Sequence, residues 1–287
     1  MPMAAEHAPG ARTQGLRARV LTALLLAPLV MGAVLLLPSP WFAGLMALFV
    51  AMAAWEWSAL AGFGARLVRA GYMALILLCL PLVWLLVPGA WHAFILALAA
   101  LWWLVLALRL PLIQRIDQAP RVEPSLLMLG LLVLVTPWLA LVHLHAMLTQ
   151  GPLIALSLLM LIWIADSAAY FSGRRFGRAK LSAVLSPGKT RVGVYVGVAA
   201  AALWGLLVAL LLGLAAPQTL FLLVICVLTA VLSVVGDLFE SWLKRRRGIK
   251  DAGSLLPGHG GMLDRIDSLT AAAPIFALGF IWLIGGQ

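Results

Sequence analysis

Long apolar runs recur along this chain and leave few architectures open to it. They fall at about residues 20–37, 41–61, 71–88, 90–108, 125–148, 152–172, 192–214, 218–240 and 269–285, with Pro, Gly or charged residues at most junctions. Each approaches the roughly 20 residues a helix needs to cross about 30 Å of hydrocarbon, where the backbone must satisfy its own hydrogen bonds. Period-two alternation is not the pattern. The sequence therefore predicts an all-α fold, a polytopic membrane helical bundle of about nine spans, rather than a barrel. Composition agrees, with 64% of the 287 residues hydrophobic and 10% charged, where soluble domains carry about 25% charged residues. The first run follows Arg12, Arg17 and Arg19 and so imitates a signal peptide. It continues to Pro38 without a small-residue cleavage site, and it reads as an uncleaved anchor.

Charge placement organises the rest. Residues 1–16 read as a mobile N-terminal tail, 17–150 as N-terminal transmembrane helices, and 151–287 as a C-terminal transmembrane region with polar loops at 173–191 and 241–268. Numbering the loops alternately puts all 20 Lys and Arg residues in one set, while the opposite loops are short and contain none. By the positive-inside rule the basic loops and the N-terminus are cytoplasmic and Gln287 is outside. The net charge of +10 is then explained by topology and attraction to anionic lipid, and nucleic acid is not an expected partner. Cys79 and Cys226 stand singly in apolar runs and read as packing residues. Gly193 and Gly197 form a small-xxx-small step, read as helix packing within the chain rather than a dimer seam.

Two segments carry the chemistry. One runs from Asp166 to Gly193, the other from Gly236 to Ser268. A carboxylate at the middle of a spanning helix costs roughly 2.5–3.5 kcal/mol on insertion scales, so Asp166, Asp237 and Glu240 need partners or a wet cavity. Glu56, between Trp55 and Trp57 and remote from both segments, reads as structural. Asp237, Glu240, Ser241 and Lys244 recur at helical spacing and would share one helix face. Beyond them Asp251, Asp264 and Asp267 surround the turn-rich Pro257-Gly258-His259-Gly260-Gly261, whose glycines would let backbone amides approach a ligand. Oxygen ligands of this kind suit Mg²⁺. The adjoining Lys244, Arg245, Arg246, Arg247, Lys250 and Arg265 suit phosphate, a combination fitted to phosphoryl or nucleotidyl transfer. For Arg246 and Arg247, topological anchoring is an equal alternative. Ser186-Pro187-Gly188-Lys189-Thr190 ends like a phosphate-binding P-loop, but Ala183 stands where the first glycine belongs and no buried strand precedes it. Lys189 stays a phosphate ligand without that fold.

These motifs resemble the phosphatidate cytidylyltransferase (CDP-diacylglycerol synthase) family. The resemblance rests on Ser241-x-x-Lys244-Arg245, Lys250-Asp251-x-Gly253 and Pro257-Gly258-His259-Gly260-Gly261-x-x-Asp264-Arg265-x-Asp267-Ser268. Upstream, Asp166-x-x-Ala169-Tyr170-x-x-Gly173-Arg174-x-x-Gly177-Arg178 and Ser186-Pro187-x-Lys189-Thr190 agree. It covers the C-terminal 120 or so residues. It implies a membrane enzyme that converts CTP and phosphatidate to CDP-diacylglycerol and pyrophosphate in phospholipid biosynthesis, using Mg²⁺ with a monovalent cation such as K⁺ as an optional addition, and often forming a homodimer. Its setting would be the bacterial inner membrane, with the active site cytoplasmic. Carried over by position, the resemblance implies Asp237, Asp251 and Asp264 for metal. Asp237, Asp264, Lys250, Arg265 and His259 would be catalytic. Lys189, Thr190, Ser186, Lys244, Arg245, Gly260, Gly261, Asp166 and Tyr170 would bind substrate. One position departs from the pattern: the family usually has Glu two residues after the Thr of Ser-Pro-x-Lys-Thr, and this chain has Val192. The alternatives are a weakly active or specialised paralogue, a transporter, which would spread its acids across the bilayer, and a catalytically silent scaffold.

Overall fold

The fold was analysed in a computed structural model, which describes residues 27–119, 121–147, 150–253 and 260–285. Nine helices run through the described residues: α1 (Ala27–Leu36), α2 (Ser39–Leu60), α3 (Arg66–Leu86), α4 (Gly89–Arg109), α5 (Pro124–Ala146), α6 (Gly151–Phe176), α7 (Arg191–Leu211), α8 (Ala216–Arg246) and α9 (Leu263–Gly285). All but α1 are long and apolar enough to cross a membrane. The beginning of the expected first span lies outside the described residues. The chain is an integral membrane protein and nearly all-α, as its hydropathy predicts. One addition was not foreseen, a small antiparallel hairpin of β1 (Lys180–Ser182) and β2 (Ser186–Thr190), pairing Lys180 with Thr190 and Ser182 with Ser186. Three and five residues are too few to show alternation, and Pro187 is tolerated because, among the described residues, the hairpin has no further strand to pair with.

Helix starts follow local chemistry. Proline sits in the first turn of α2, α5, α6 and α8, where its missing N–H costs no intrahelical bond. Helix ends extend past the apolar runs, because hydropathy sees only the part of a helix that lies in hydrocarbon. α8 has 31 residues, roughly 46 Å at 1.5 Å per residue, so its last turns, from Asp237 to Arg246, reach beyond a hydrocarbon layer of about 30 Å. α9 begins at Leu263 rather than 269, which places Asp264 and Asp267 on its first turns.

α5 and α9 form the middle of the bundle, each with 67% of its span buried, whereas α3 is 17% buried. On α3 the leucines 67, 75, 78, 82, 85 and 86 point outward, the expected inversion for a helix facing lipid tails. Trp57 donates to Leu126 O at 2.7 Å, and Tyr72 to Leu127 O at 3.0 Å, tying the start of α5 to α2 and α3. Gly193 and Gly197 face the backbone of α6, where an added Cβ would come within 2.7 Å of Ala169 O and 2.9 Å of Ala165 O respectively. The small-xxx-small step is therefore intramolecular packing. Cys226 is buried against Gly205, in keeping with a packing role.

The polar loops meet at one end of the bundle. Arg247 donates from Nε to Leu60 O at 2.6 Å and from Nη2 to Glu123 Oε1 at 3.2 Å. Arg246 pairs with Glu123 Oε2 at 3.0 Å, while Glu123 N reaches Ala61 O at 2.8 Å. These two arginines thus clasp the α4–α5 connection to the end of α8, which resolves their role in favour of structure. At the opposite end His145 bridges two helices. Its Nε2 donates to Val34 O at 2.8 Å, so Nδ1 is left to accept from the Ser39 hydroxyl at 3.0 Å.

Candidate active site

Three helices enclose a cavity of about 340 Å³ at the polar end. α6 contributes Leu159, Ile162, Trp163 and Asp166, spaced three and four residues apart and hence on one face. α8 contributes Asp237, and the first turns of α9 contribute Asp264, Arg265, Asp267, Ser268 and Leu269. The result is amphiphilic: an apolar wall from α6 faces a rim of four aspartates and an arginine. α8 can come this close to α9 because residue 236 is glycine; a Cβ there would overlap the carbonyl of Asp267.

The charges around this rim are tightly paired. Lys189, at the end of β2, reaches across to Asp237 Oδ2 at 2.6 Å, and the Ser241 hydroxyl donates to Asp237 Oδ1 at 3.3 Å. Lys244 Nζ lies 2.5 Å from Asp264 Oδ1 and 3.1 Å from Glu240 Oε1. Asp264 Oδ2 accepts from Gly261 N at 2.7 Å and Ala252 N at 2.9 Å, so both of its oxygens are engaged. Asp267 Oδ1 accepts from Ser268 N at 2.7 Å. Among the described residues neither oxygen of the buried Glu240 has a well-directed hydrogen bond, although Lys244 Nζ lies 3.1 Å from Oε1. The stripe Asp237, Glu240, Ser241, Lys244 is thus present as spaced in the sequence, and Lys244, like Lys189, is paired with carboxylates.

Other residues assigned from the sequence lie apart from the cavity or in other contacts. Thr190 is buried, and its Oγ1 accepts from Gly193 N at 3.1 Å as the N-cap of α7. Tyr170 is 58% exposed on the outside of α6, takes a bond from Arg174 at 3.2 Å, and does not line the cavity. Ser186 lies in the hairpin paired to Ser182, and Arg245, Lys250 and Asp251 are exposed outside the cavity lining. His259 lies outside the described residues. The amide of Gly261 is committed to Asp264, and Gly260, at φ +79°, has a Cα facing the same carboxylate. These glycines make room for protein carboxylates, and the amide of Gly261 is taken up by one of them.

Two residues were undervalued by sequence. Asp267 shares the cavity, and its position one turn after Asp264 was the available signal. Glu56 is not remote at all. Its carboxylate accepts from Met262 N at 3.0 Å and Leu263 N at 2.8 Å. A buried charge on a span was the only sequence signal it gave.

As a set, these features define a polytopic membrane protein that concentrates acids and bases beside an apolar wall at one end of its bundle, a place for a phosphorylated amphiphile. Comparison with known proteins is more specific. The profile of the cytidylyltransferase family matches residues 17–282, and the chain belongs to that family. It is 39% identical to a phosphatidate cytidylyltransferase of Pseudomonas aeruginosa, over 94% of this chain and 98% of the relative. It is 33% identical to one of Haemophilus influenzae, over 94% of this chain and all of that relative. A further phosphatidate cytidylyltransferase, from Brucella suis, is 50% identical over 42% of this chain.

Proposed function

We propose that this protein is a phosphatidate cytidylyltransferase, transferring the cytidylyl group of CTP to the phosphate of phosphatidate to give CDP-diacylglycerol and pyrophosphate. The observation that carries this reading is the amphiphilic cavity between α6, α8 and α9, in a chain that matches relatives of that name nearly end to end. Its apolar wall of Leu159, Ile162 and Trp163 would face the lipid's glycerol and upper acyl region, and its charged rim the phosphates. In the reaction an oxygen of the phosphatidate phosphate bonds to the α-phosphorus of CTP as the bond to the bridging oxygen breaks, and pyrophosphate takes that electron pair. No protein nucleophile is required, so the residues act by positioning and by balancing charge. Lys189, paired with the cavity's Asp237, and Arg265, in the cavity lining, would bear on phosphate oxygens.

The donor set fits Mg²⁺. Asp166, Asp237, Asp264 and Asp267 are hard oxygen donors around one cavity. Among the described residues no three His, Cys, Asp or Glu side chains are gathered to hold a metal by themselves. Mg²⁺ ordinarily takes one or two carboxylates and completes its shell with water and substrate phosphates. Asp237 and Asp264 would hold it by giving up their contacts to Lys189 and Lys244, with Asp166 and Asp267 alongside, and when bound it would neutralise charge on the departing pyrophosphate. By the positive-inside rule and the bacterial origin of the relatives, the site belongs on the cytoplasmic face of a bacterial inner membrane. Transport is not favoured, because the intramembrane acids gather at one end of the bundle instead of marking a path through it.

The test is direct: purified protein in lipid nanodiscs, with labelled CTP, phosphatidate and Mg²⁺, should yield a labelled liponucleotide and pyrophosphate in equal amounts. Asp264→Asn and Asp166→Asn should each abolish product while the protein still elutes as folded from size-exclusion columns. Formation of pyrophosphate without liponucleotide, or full turnover in both variants, refutes the proposal.

A further inference from the structure

Outside the cavity, one buried charge has no part in the chemistry just described. Glu56 lies on α2, is 2% exposed, and is absent from the cavity lining. Among the described residues its partners are two backbone amides more than 200 positions away in sequence, Met262 N at 3.0 Å and Leu263 N at 2.8 Å. Arg69, the nearest cation on the neighbouring helix, is turned aside: it donates to Trp55 O at 2.9 Å and lies over the Trp55 ring at 4.2 Å. The charge of Glu56 is thus balanced mainly by the amino end of α9, where unpaired N–H groups and the helix dipole favour an anion. Burying a carboxylate in this way is poor value for stability alone, since well-packed apolar replacements for buried charges are often neutral or better.

Glu56 also explains two glycines. A Cβ on Gly253 or on Gly261 would overlap its carboxylate, so both sides of the α8–α9 connection close around it. On the far face of the same turn, Ala252 N and Gly261 N donate to Asp264 Oδ2. The turn is therefore held between two carboxylates, Glu56 on the side of α2 and Asp264 on the side of the cavity. From this we infer that Glu56 is a positioning residue: it fixes the first turn of α9 and thereby sets where Asp264, Arg265 and Asp267 stand in the cavity. The inference rests on the reading of that cavity as the site of cytidylyl transfer.

Glu56→Gln preserves shape and one acceptor but turns an NH₂ group toward a backbone N–H. In nanodiscs it is expected to lower kcat on the order of 100-fold, the scale of a 1 Å misplacement of reacting groups, with the KM for CTP little changed. Amide hydrogen exchange across residues 260–264 should accelerate, and Glu56→Asp, which keeps the charge, should recover part of kcat. If Glu56→Gln fails to accumulate in membranes, Glu56→Asp carries the test through its own drop in kcat and faster exchange. Wild-type turnover per folded molecule in Glu56→Gln overturns the inference, even if the protein melts earlier. Lost turnover without faster exchange at 260–264 overturns it as well. If the wild type makes no liponucleotide, the proposed function has failed, and the exchange measurement alone decides whether Glu56 holds the turn.

Discussion

Replacing Lys244 by Met removes one positive charge and leaves two carboxylates face to face. Lys244 is 9% exposed, and its ammonium sits 2.5 Å from Asp264 and 3.1 Å from Glu240. Met nearly reproduces the length of the stem, so packing changes little and the loss is electrostatic. Asp264 keeps its two backbone donors, but Glu240 keeps none. Stranding buried charge by removing its partner costs about 3–5 kcal/mol, a large part of the roughly 5–15 kcal/mol that stabilises a typical fold. Unfolding of the purified variant in mixed micelles, titrated with denaturing detergent, should show that loss. Adding Glu240→Gln to Lys244→Met should restore more than half of it, because one of the two stranded charges is gone. A single variant within about 1 kcal/mol of wild type, the ordinary cost of a point mutation, would refute the account. So would a double variant no more stable than the single.

Two further outcomes follow from the same contacts. Arg247→Ala severs the bonds to Leu60 O and Glu123 and should cost about 2–3 kcal/mol, as for hydrogen bonds involving a charged group; kcat per folded molecule should stay near wild type, as measured by turnover against a folded-fraction standard. Thr190→Ala removes the cap of α7 and should cost about 1 kcal/mol, whereas Thr190→Ser should keep it, and neither should raise the KM for CTP as loss of a substrate contact would.

What could be read from the sequence divides along a physical line. Spans were legible because lipid demands apolar runs of fixed length, and α2 to α9 fall where those runs are. Their ends were less so, since a helix such as α8 continues into water once its polar residues pair along one face. Within the site, Asp166, Asp237 and Asp264 were legible because a carboxylate in hydrocarbon is costly and demands a reason. A motif fixes residue types but not which way a side chain faces: Thr190 turns inward to cap a helix and Tyr170 turns outward, which the motif could not show. The partners of Glu56, read from sequence as structural, were not legible because they are backbone amides more than 200 residues away, and amides carry no residue-type signal. The hairpin escaped notice for a similar reason, its order coming from two registered pairs and the Lys189–Asp237 bridge.

The bare contact at Gly236 bears on how such a protein can diversify. Where α8 meets α9 main chain to main chain, the width of the acidic rim is set by backbone thickness and cannot be adjusted by exchanging side chains. The opposite wall is different, since Leu159, Ile162 and Trp163 present side chains, not main chain, to the cavity. Adaptation to bulkier or slimmer lipids is thereby channelled onto α6, and natural variants that accept a new tail should carry their changes there while the glycine seam stays fixed.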